Sequence, residues 1–120
     1  MDKLEHIFKL QEEFDNALVK NRNLDNFSKE EWIQKEVLAI ISELAELLNE
    51  VNFKWWKNPK QIDEKAIRKE LVDILHFFVS MCLKMNMTAD DLYKEYLTKN
   101  EENFKRQQGL SNKKGYQWEK

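Results

Sequence analysis

This chain predicts an all-α protein built as an antiparallel four-helix bundle, and three observations carry that prediction. Only two Gly and one Pro occur in 120 residues, so few tight turns are encoded and strands lack their usual punctuation. Apolar residues recur at three- and four-residue intervals rather than alternating, which is the helical period. Two capping signatures, Ser28 with Glu31 and Thr88 with Asp91, mark helix starts at well-separated points along the chain.

The elements follow in order. Leu4, Ile7, Phe8, Leu10, Phe14, Ala17 and Leu18 form one apolar face, so a first helix is expected over residues 2 to about 21. The segment NRNLDNF breaks that pattern, and the capping box at Ser28 starts a second helix that runs to about Val51. A loop through FKWWKNPK, with Asn58-Pro59 as its turn signal, leads to a third helix from about Asp63 to Lys84. Thr88 opens a fourth that reaches about Gln107. Residues 1–107 are thus read as one domain, and the polar, glycine-bearing residues 108–120 as a flexible tail. Short connections between four helices favour antiparallel neighbours.

Composition bounds the function. A hydrophobic share of 42% with four Trp and seven Phe supports a packed core. The net charge of −2, from 20 basic and 22 acidic residues, creates no global field to draw in nucleic acid or an anionic membrane. No stretch reaches the roughly 20 apolar residues that span a bilayer. The single cysteine, Cys82, lies in the apolar run of the third helix and reads as a buried thiol, which fits a reducing, cytoplasmic setting. Because the third helix, LVDILHFFVSMCL, is apolar on every side, it needs more cover than one bundle supplies. A homodimer with that helix at or near its core is expected.

Two acidic pairs stand out at i, i+3 spacing, Glu43 with Glu46 and Glu70 with Asp73. Glu36, Glu43, Glu46 and Glu50 share one sector of the second helix, and no Lys or Arg between Lys35 and Lys54 relieves their repulsion. A solvated face is the plain alternative there. On the third helix the polar residues Asp73, His76 and Ser80 form one narrow stripe. A buried, unpaired carboxylate costs several kcal/mol or takes up a proton, so a cation is the economical partner. Hard ions such as Mg²⁺ prefer oxygen ligands and usually come with phosphates. The alternative for Asp73 is a hydrogen bond to His76 or an ion pair with Arg68 or Lys69. His76 itself suits a place behind the ligands or near substrate, since imidazole is a poor partner for a hard ion.

The residues around these pairs carry a resemblance. The pattern Glu43-Leu-Ala-Glu46 followed by Glu70-Leu-Val-Asp73 is similar to that of the all-α nucleoside triphosphate pyrophosphohydrolases, the MazG-like superfamily that includes the dimeric dUTPases. Phe53-Lys54-Trp55-Trp56-Lys57 matches the Trp-rich segment that follows the first pair in those dUTPases. Val72-Asp73-Ile74-Leu75-His76-Phe77 matches their Val-Asp-x-x-His-Phe run, and Lys99-Asn100, Asn103, Arg106-Gln107 and Gly115-Tyr116 match their closing motif. The resemblance covers about residues 10 to 116.

It implies hydrolysis of dUTP, and of dUDP, to dUMP on Mg²⁺, with Mn²⁺ as the alternative ion. Glu43, Glu46, Glu70 and Asp73 would hold the metal, and Glu43 or Glu46 would orient the attacking water. The family reads uracil with a Gln-x-x-hydrophobic-Asn motif. Gln11 matches its start, but the chain then has Asp15 followed by Asn16, and an ionised Asp is acceptor-only where an amide both donates and accepts. A related pyrophosphohydrolase for another nucleotide such as dCTP therefore stays open, as does a non-catalytic helical interaction module.

Lys99, Asn103 and Arg106 fall on one face of the fourth helix, which suits a polyphosphate, although basic residues near a helix end also complement its dipole. With the resemblance, phosphate binding is expected of all three. Lys54 is expected to do the same, and Trp56 to stack on the base, where the plainer reading is a core plug or dimer contact. Tyr116 follows Gly115, a hinge about which the tail would close over nucleotide; simple fraying is the other reading.

Overall fold

The computed structural model describes residues 1–118, so the last two residues of the expected tail lie outside it. The described residues are all-α and form four helices: α1 (Lys3–Arg22), α2 (Lys29–Glu50), α3 (Glu64–Lys84) and α4 (Ala89–Gln108). It divides into two compact units, Met1–Asn86 and Met87–Lys120.

Both expected capping boxes are present. Ser28 Oγ accepts from Glu31 N at 3.1 Å, and Thr88 Oγ1 accepts from Asp91 N at 3.0 Å. Each acidic side chain returns a bond to the cap's own N–H, and this holds the Asp91 carboxyl below its usual range. The other two starts are capped by Asp2 and Asp63, whose carboxylates accept from N–H groups of the first turn.

In the first unit α3 packs against both α1 and α2. The bridging pairs give the directions. Gln11 with His76 and Asp15 with Ser80 run in the same order, so α1 is parallel to α3. Glu36 with Ser80 and Glu43 with Glu70 run in opposite order, so α2 is antiparallel to α3. The core is small: Phe8, Val79 and Cys82 are its buried apolar side chains. Burial pushes the Cys82 thiol up, in keeping with an unreactive core cysteine. Several apolar side chains of these two helices are uncovered in the single chain: Leu38, Ile41, Leu44 and Leu48 on α2 and Leu71, Val72, Leu75 and Phe78 on α3 are all exposed.

The loop between α2 and α3 is closed by one side chain. Asn52, at φ +59°, donates from Nδ2 to the Lys60 carbonyl and accepts from the Lys60 N–H, both at 2.9 Å. A Lys60–Glu50 ion pair at 3.2 Å reinforces the closure. Asparagine tolerates the left-handed conformation that this clasp requires.

In the second unit α4 ends at Gly109, φ +76°, where Gly109 N bonds to Arg106 O and Leu110 N to Lys105 O. This pattern is a Schellman cap. The chain beyond it folds back on the helix end. Trp118 N donates to Gln107 O at 2.9 Å, and the buried Ser111 hydroxyl donates to Glu102.

Candidate active site

Helix geometry brings carboxylates of α2 and α3 together because residues three or four apart share a face. Glu43, Glu46 and Glu70 each offer an oxygen, and the three oxygens lie within 4.8 Å of one another. Glu43 and Glu70 are half-buried, while Glu46 is exposed. Glu43 Oε2 and Glu70 Oε2 are buried atoms with no hydrogen-bond partner. Contact with Glu70, then burial, then the charges of Glu46, Asp73 and Glu70 raise the Glu43 carboxyl to about 7. Two lone acceptors pressed together in this way need either a shared proton or a cation. The donor set is all oxygen and fits a hard divalent ion.

Asp73, the fourth expected acid, is exposed and stands outside this trio, although its charge is felt at Glu43. It lines a shallow hollow of about 350 Å³ with Arg68, Lys69 and Val72. Among the described residues it forms no ion pair with either cation within 4.0 Å.

Glu36 leaves the sector in which the sequence groups it with the other glutamates. It is 7% exposed and belongs to a separate polar cluster at the junction of the three helices. Ser80 Oγ lies 2.7 Å from both Glu36 Oε1 and Asp15 Oδ2. Gln11 Nε2 donates to Asp15 Oδ1 at 2.9 Å, and Gln11 Oε1 lies 2.6 Å from His76 Nδ1. Lys84 Nζ approaches Asp15 at 3.8 Å and stands 4.7 Å from the centre of the Trp32 ring. Burial raises the Glu36 carboxyl, against the opposing pull of Ser80 and Lys84.

Of the expected nucleotide-contacting residues, Gln11 and His76 are joined in this cluster, whereas Asn16 is exposed on α1 next to Asp15. The loop after α2 forms a hollow of about 400 Å³ lined by Asn49, Asn52, Phe53, Lys54, Lys57 and Lys60 among others. Trp56 stands beside it, exposed, with its ring edge-on to Phe53 at 6.2 Å and to Trp55 at 4.7 Å. In the second unit Lys99 and Asn103 are exposed on α4. Arg106 bonds to Glu102 at 3.3 Å, and its guanidinium carbon is 5.5 Å from the centre of the Tyr116 ring. The Ser111 hydroxyl, then Arg106, hold the Glu102 carboxyl below its ordinary range.

Sequence reasoning missed the roles of Glu36, Asp15 and Ser80. The signal was the polar stripe on α3, where Ser80 continues the spacing of Asp73 and His76 and asks for polar partners across the interface.

Carboxylates drawn from two antiparallel helices around one point, in a unit without strands among its described residues, define an all-α protein with a candidate cation centre. The chain belongs to the dUTPase family of the dUTPase_2 model, which matches residues 3–89. It is similar to the dCTP pyrophosphatase of Enterobacteria phage T4, 34% identical over 87 residues that cover 61% of this chain and 51% of that protein. It is also similar to the dCTP pyrophosphatase of Enterobacteria phage LZ5, 32% identical over 74 residues that cover 62% of this chain and 43% of that protein. The chain thus spans about half the length, or less, of these curated relatives. No solved structure matches it. No single helix among the described residues is long and apolar enough to cross a membrane.

Proposed function

We propose that this chain is a metal-dependent nucleoside triphosphate pyrophosphohydrolase acting on a pyrimidine deoxynucleotide. One observation carries the reading: the buried, unpartnered oxygens of Glu43 and Glu70 beside Glu46 are acceptors in search of a cation. Glu43, Glu46 and Glu70, assisted by Asp73, would hold Mg²⁺ or Mn²⁺ in its place, and such an ion would supply charge neutralisation of the triphosphate and activation of water.

The side chains have separate tasks in this reading. Glu46, the exposed member of the trio, orients the attacking water. Lys54 is assigned to the phosphates from the loop hollow, and Trp56 offers an exposed ring face for the base. In the second unit, Lys99, Asn103 and Arg106 are assigned to polyphosphate binding by their donors and positive charge, and Tyr116, beside Arg106, to the nucleotide. The balanced reaction takes a nucleoside triphosphate and water to the monophosphate and pyrophosphate.

Family membership supports dUTP, with dUDP, as substrate and dUMP as product. A second reading, dCTP, is favoured by the departure at Asp15, whose carboxylate is tied to Gln11 and Ser80 where the uracil-reading motif has an amide. It also agrees with the names of the two phage relatives.

A homodimer completes the reading. α2 and α3 leave many large apolar side chains exposed, and a second copy would cover them. The lone, buried Cys82 agrees with a reducing cytoplasmic setting.

A panel of deoxynucleoside triphosphates at fixed Mg²⁺, with detection of pyrophosphate, tests reaction class and base preference together. Metal-dependent release of pyrophosphate from dUTP or dCTP is expected. No release from any nucleotide with Mg²⁺ or Mn²⁺, and no binding of either ion, would leave a non-catalytic helical module.

A further inference from the structure

The polar cluster at the junction of α1, α2 and α3 contains a counting problem. Ser80 has one hydroxyl proton, yet its Oγ lies 2.7 Å from a carboxylate oxygen on each side, Asp15 Oδ2 and Glu36 Oε1. Ionised carboxylates only accept. Both contacts are therefore satisfied when one acid is protonated and donates to Ser80, which in turn donates to the other.

The surroundings choose between them. Asp15 is the better supported anion, since Gln11 Nε2 donates to it at 2.9 Å and Lys84 Nζ stands 3.8 Å away. Glu36 is the more buried, 7% exposed, and faces the Asp15 charge from α1 as well as Ser80 and Lys84 from α3. The proton belongs on Glu36. An anionic Asp15 then fixes the next link, because the Gln11 side chain must turn its NH₂ toward that carboxylate and its carbonyl toward His76. Facing a carbonyl at 2.6 Å, His76 Nδ1 must be the donor. In a neutral imidazole this leaves Nε2 as an acceptor.

We propose that Asp15 is a positioning residue that sets the direction of a hydrogen-bond chain, Glu36 to Ser80 to Asp15, then His76 to Gln11 to Asp15, and so presents His76 Nε2 as a fixed acceptor for a donor group of the bound nucleotide. The nucleotide end of this chain rests on the pyrophosphohydrolase reading; the internal end does not. His76 lies one turn beyond Asp73 on α3, so the acceptor shares a helix face with a candidate metal acid. Every member of the chain lies within the first unit.

Two spectra of the metal-free wild-type chain test the internal end. In carboxyl ¹³C NMR, Glu36 is expected to keep its proton to higher pH than the exposed glutamates do. In imidazole ¹⁵N NMR at a pH where His76 is neutral, it is expected as the Nδ1–H tautomer. Glu36→Gln, which keeps a donor toward Ser80, should leave that pattern unchanged. Asp15→Asn removes the acceptor-only link and should give mixed His76 tautomers, with KM raised at least tenfold and kcat changed less. A Glu36 that ionises together with the exposed glutamates, an Nε2–H tautomer in the wild type, or an unmixed pattern in a folded Asp15→Asn variant would overturn the proposal. Because the spectra need no nucleotide, they stand or fall apart from hydrolysis: the expected spectra in a chain that hydrolyses nothing would overturn only the pyrophosphohydrolase reading.

Discussion

Glu43 and Glu70 meet across the α2–α3 interface with one buried oxygen each and no donor to satisfy either. Such a contact opposes folding in the absence of a counter-charge, since it places like charges together out of water. Replacing Glu43 with Gln is expected to raise the thermal midpoint of the metal-free chain. The same variant should lose the stabilisation that Mg²⁺ gives the wild type, which amounts to about 2.7 kcal/mol at a hundredfold excess over Kd. Paired thermal melts with and without Mg²⁺ read both effects.

The protonation of Glu43 makes metal-free stability depend on pH. Its folded value of about 7 lies above the ordinary 4.5, so between those values the folded chain holds more protons than the unfolded one. The stabilisation is fully present below 4.5 and lost as the pH rises through about 7. Denaturant midpoints of the metal-free chain should therefore fall from about pH 5 to about pH 8, and Glu43→Gln should flatten the profile. Saturating Mg²⁺ should oppose that slope, because ligands must shed protons to bind the ion.

Glu46→Gln and Asp73→Asn are expected to abolish pyrophosphate release while leaving far-UV circular dichroism unchanged. Both residues are exposed, so neither change leaves a buried group stranded. Glu46 stands within the trio and Asp73 outside it. If turnover survives in Asp73→Asn alone, three acids suffice; survival in both variants removes the metal assignment.

The exposed apolar side chains of α2 and α3 give a fourth expectation. Ile41→Asp or Leu75→Asp should shift the chain from dimer to monomer in sedimentation equilibrium, because each puts a charge on the surface assigned to the second copy. A wild-type chain that is monomeric at micromolar concentration would remove the dimer.

Gly109 supplies a test in the second unit. It sits at φ +76°, and a Cβ there would meet the Gln117 side chain at 2.8 Å. Gly109→Ala is expected to cost about 1–2 kcal/mol, from backbone strain with the added displacement of Gln117. Gly115, at φ +94° with open space around it, has the strain without the clash, so Gly115→Ala should cost less. Chemical denaturation of the two variants measures the difference.

How much of this was legible in the sequence differs by residue. Helix starts were, because Ser28 with Glu31 and Thr88 with Asp91 are local signals that tertiary context left intact. The acidic trio was too, since i, i+3 spacing fixes a shared face and the lack of basic neighbours on α2 marks it as unusual. Glu36 was not. On α2 alone it shares a sector with Glu43, and only the approach of Ser80 and Asp15 from two other helices separates a buried acid from a solvated one. Asp73 was legible as a polar residue in an apolar helix, but its place outside the trio depends on how α2 and α3 are set against each other. The fold-back of the residues after Gly109 was hidden for a related reason, because Trp118 and Ser111 are tied by partners that spacing does not reveal.

Cys82 is the only thiol in the chain, and it lies in the core beside Val79. Its reaction with a thiol reagent must wait for α3 to open, so the labelling rate, divided by that of an unfolded peptide, reads the local opening equilibrium directly. The molecule carries a built-in gauge of how firmly α3 is held, and nucleotide or metal ions that tighten the first unit would slow that clock without any probe being introduced.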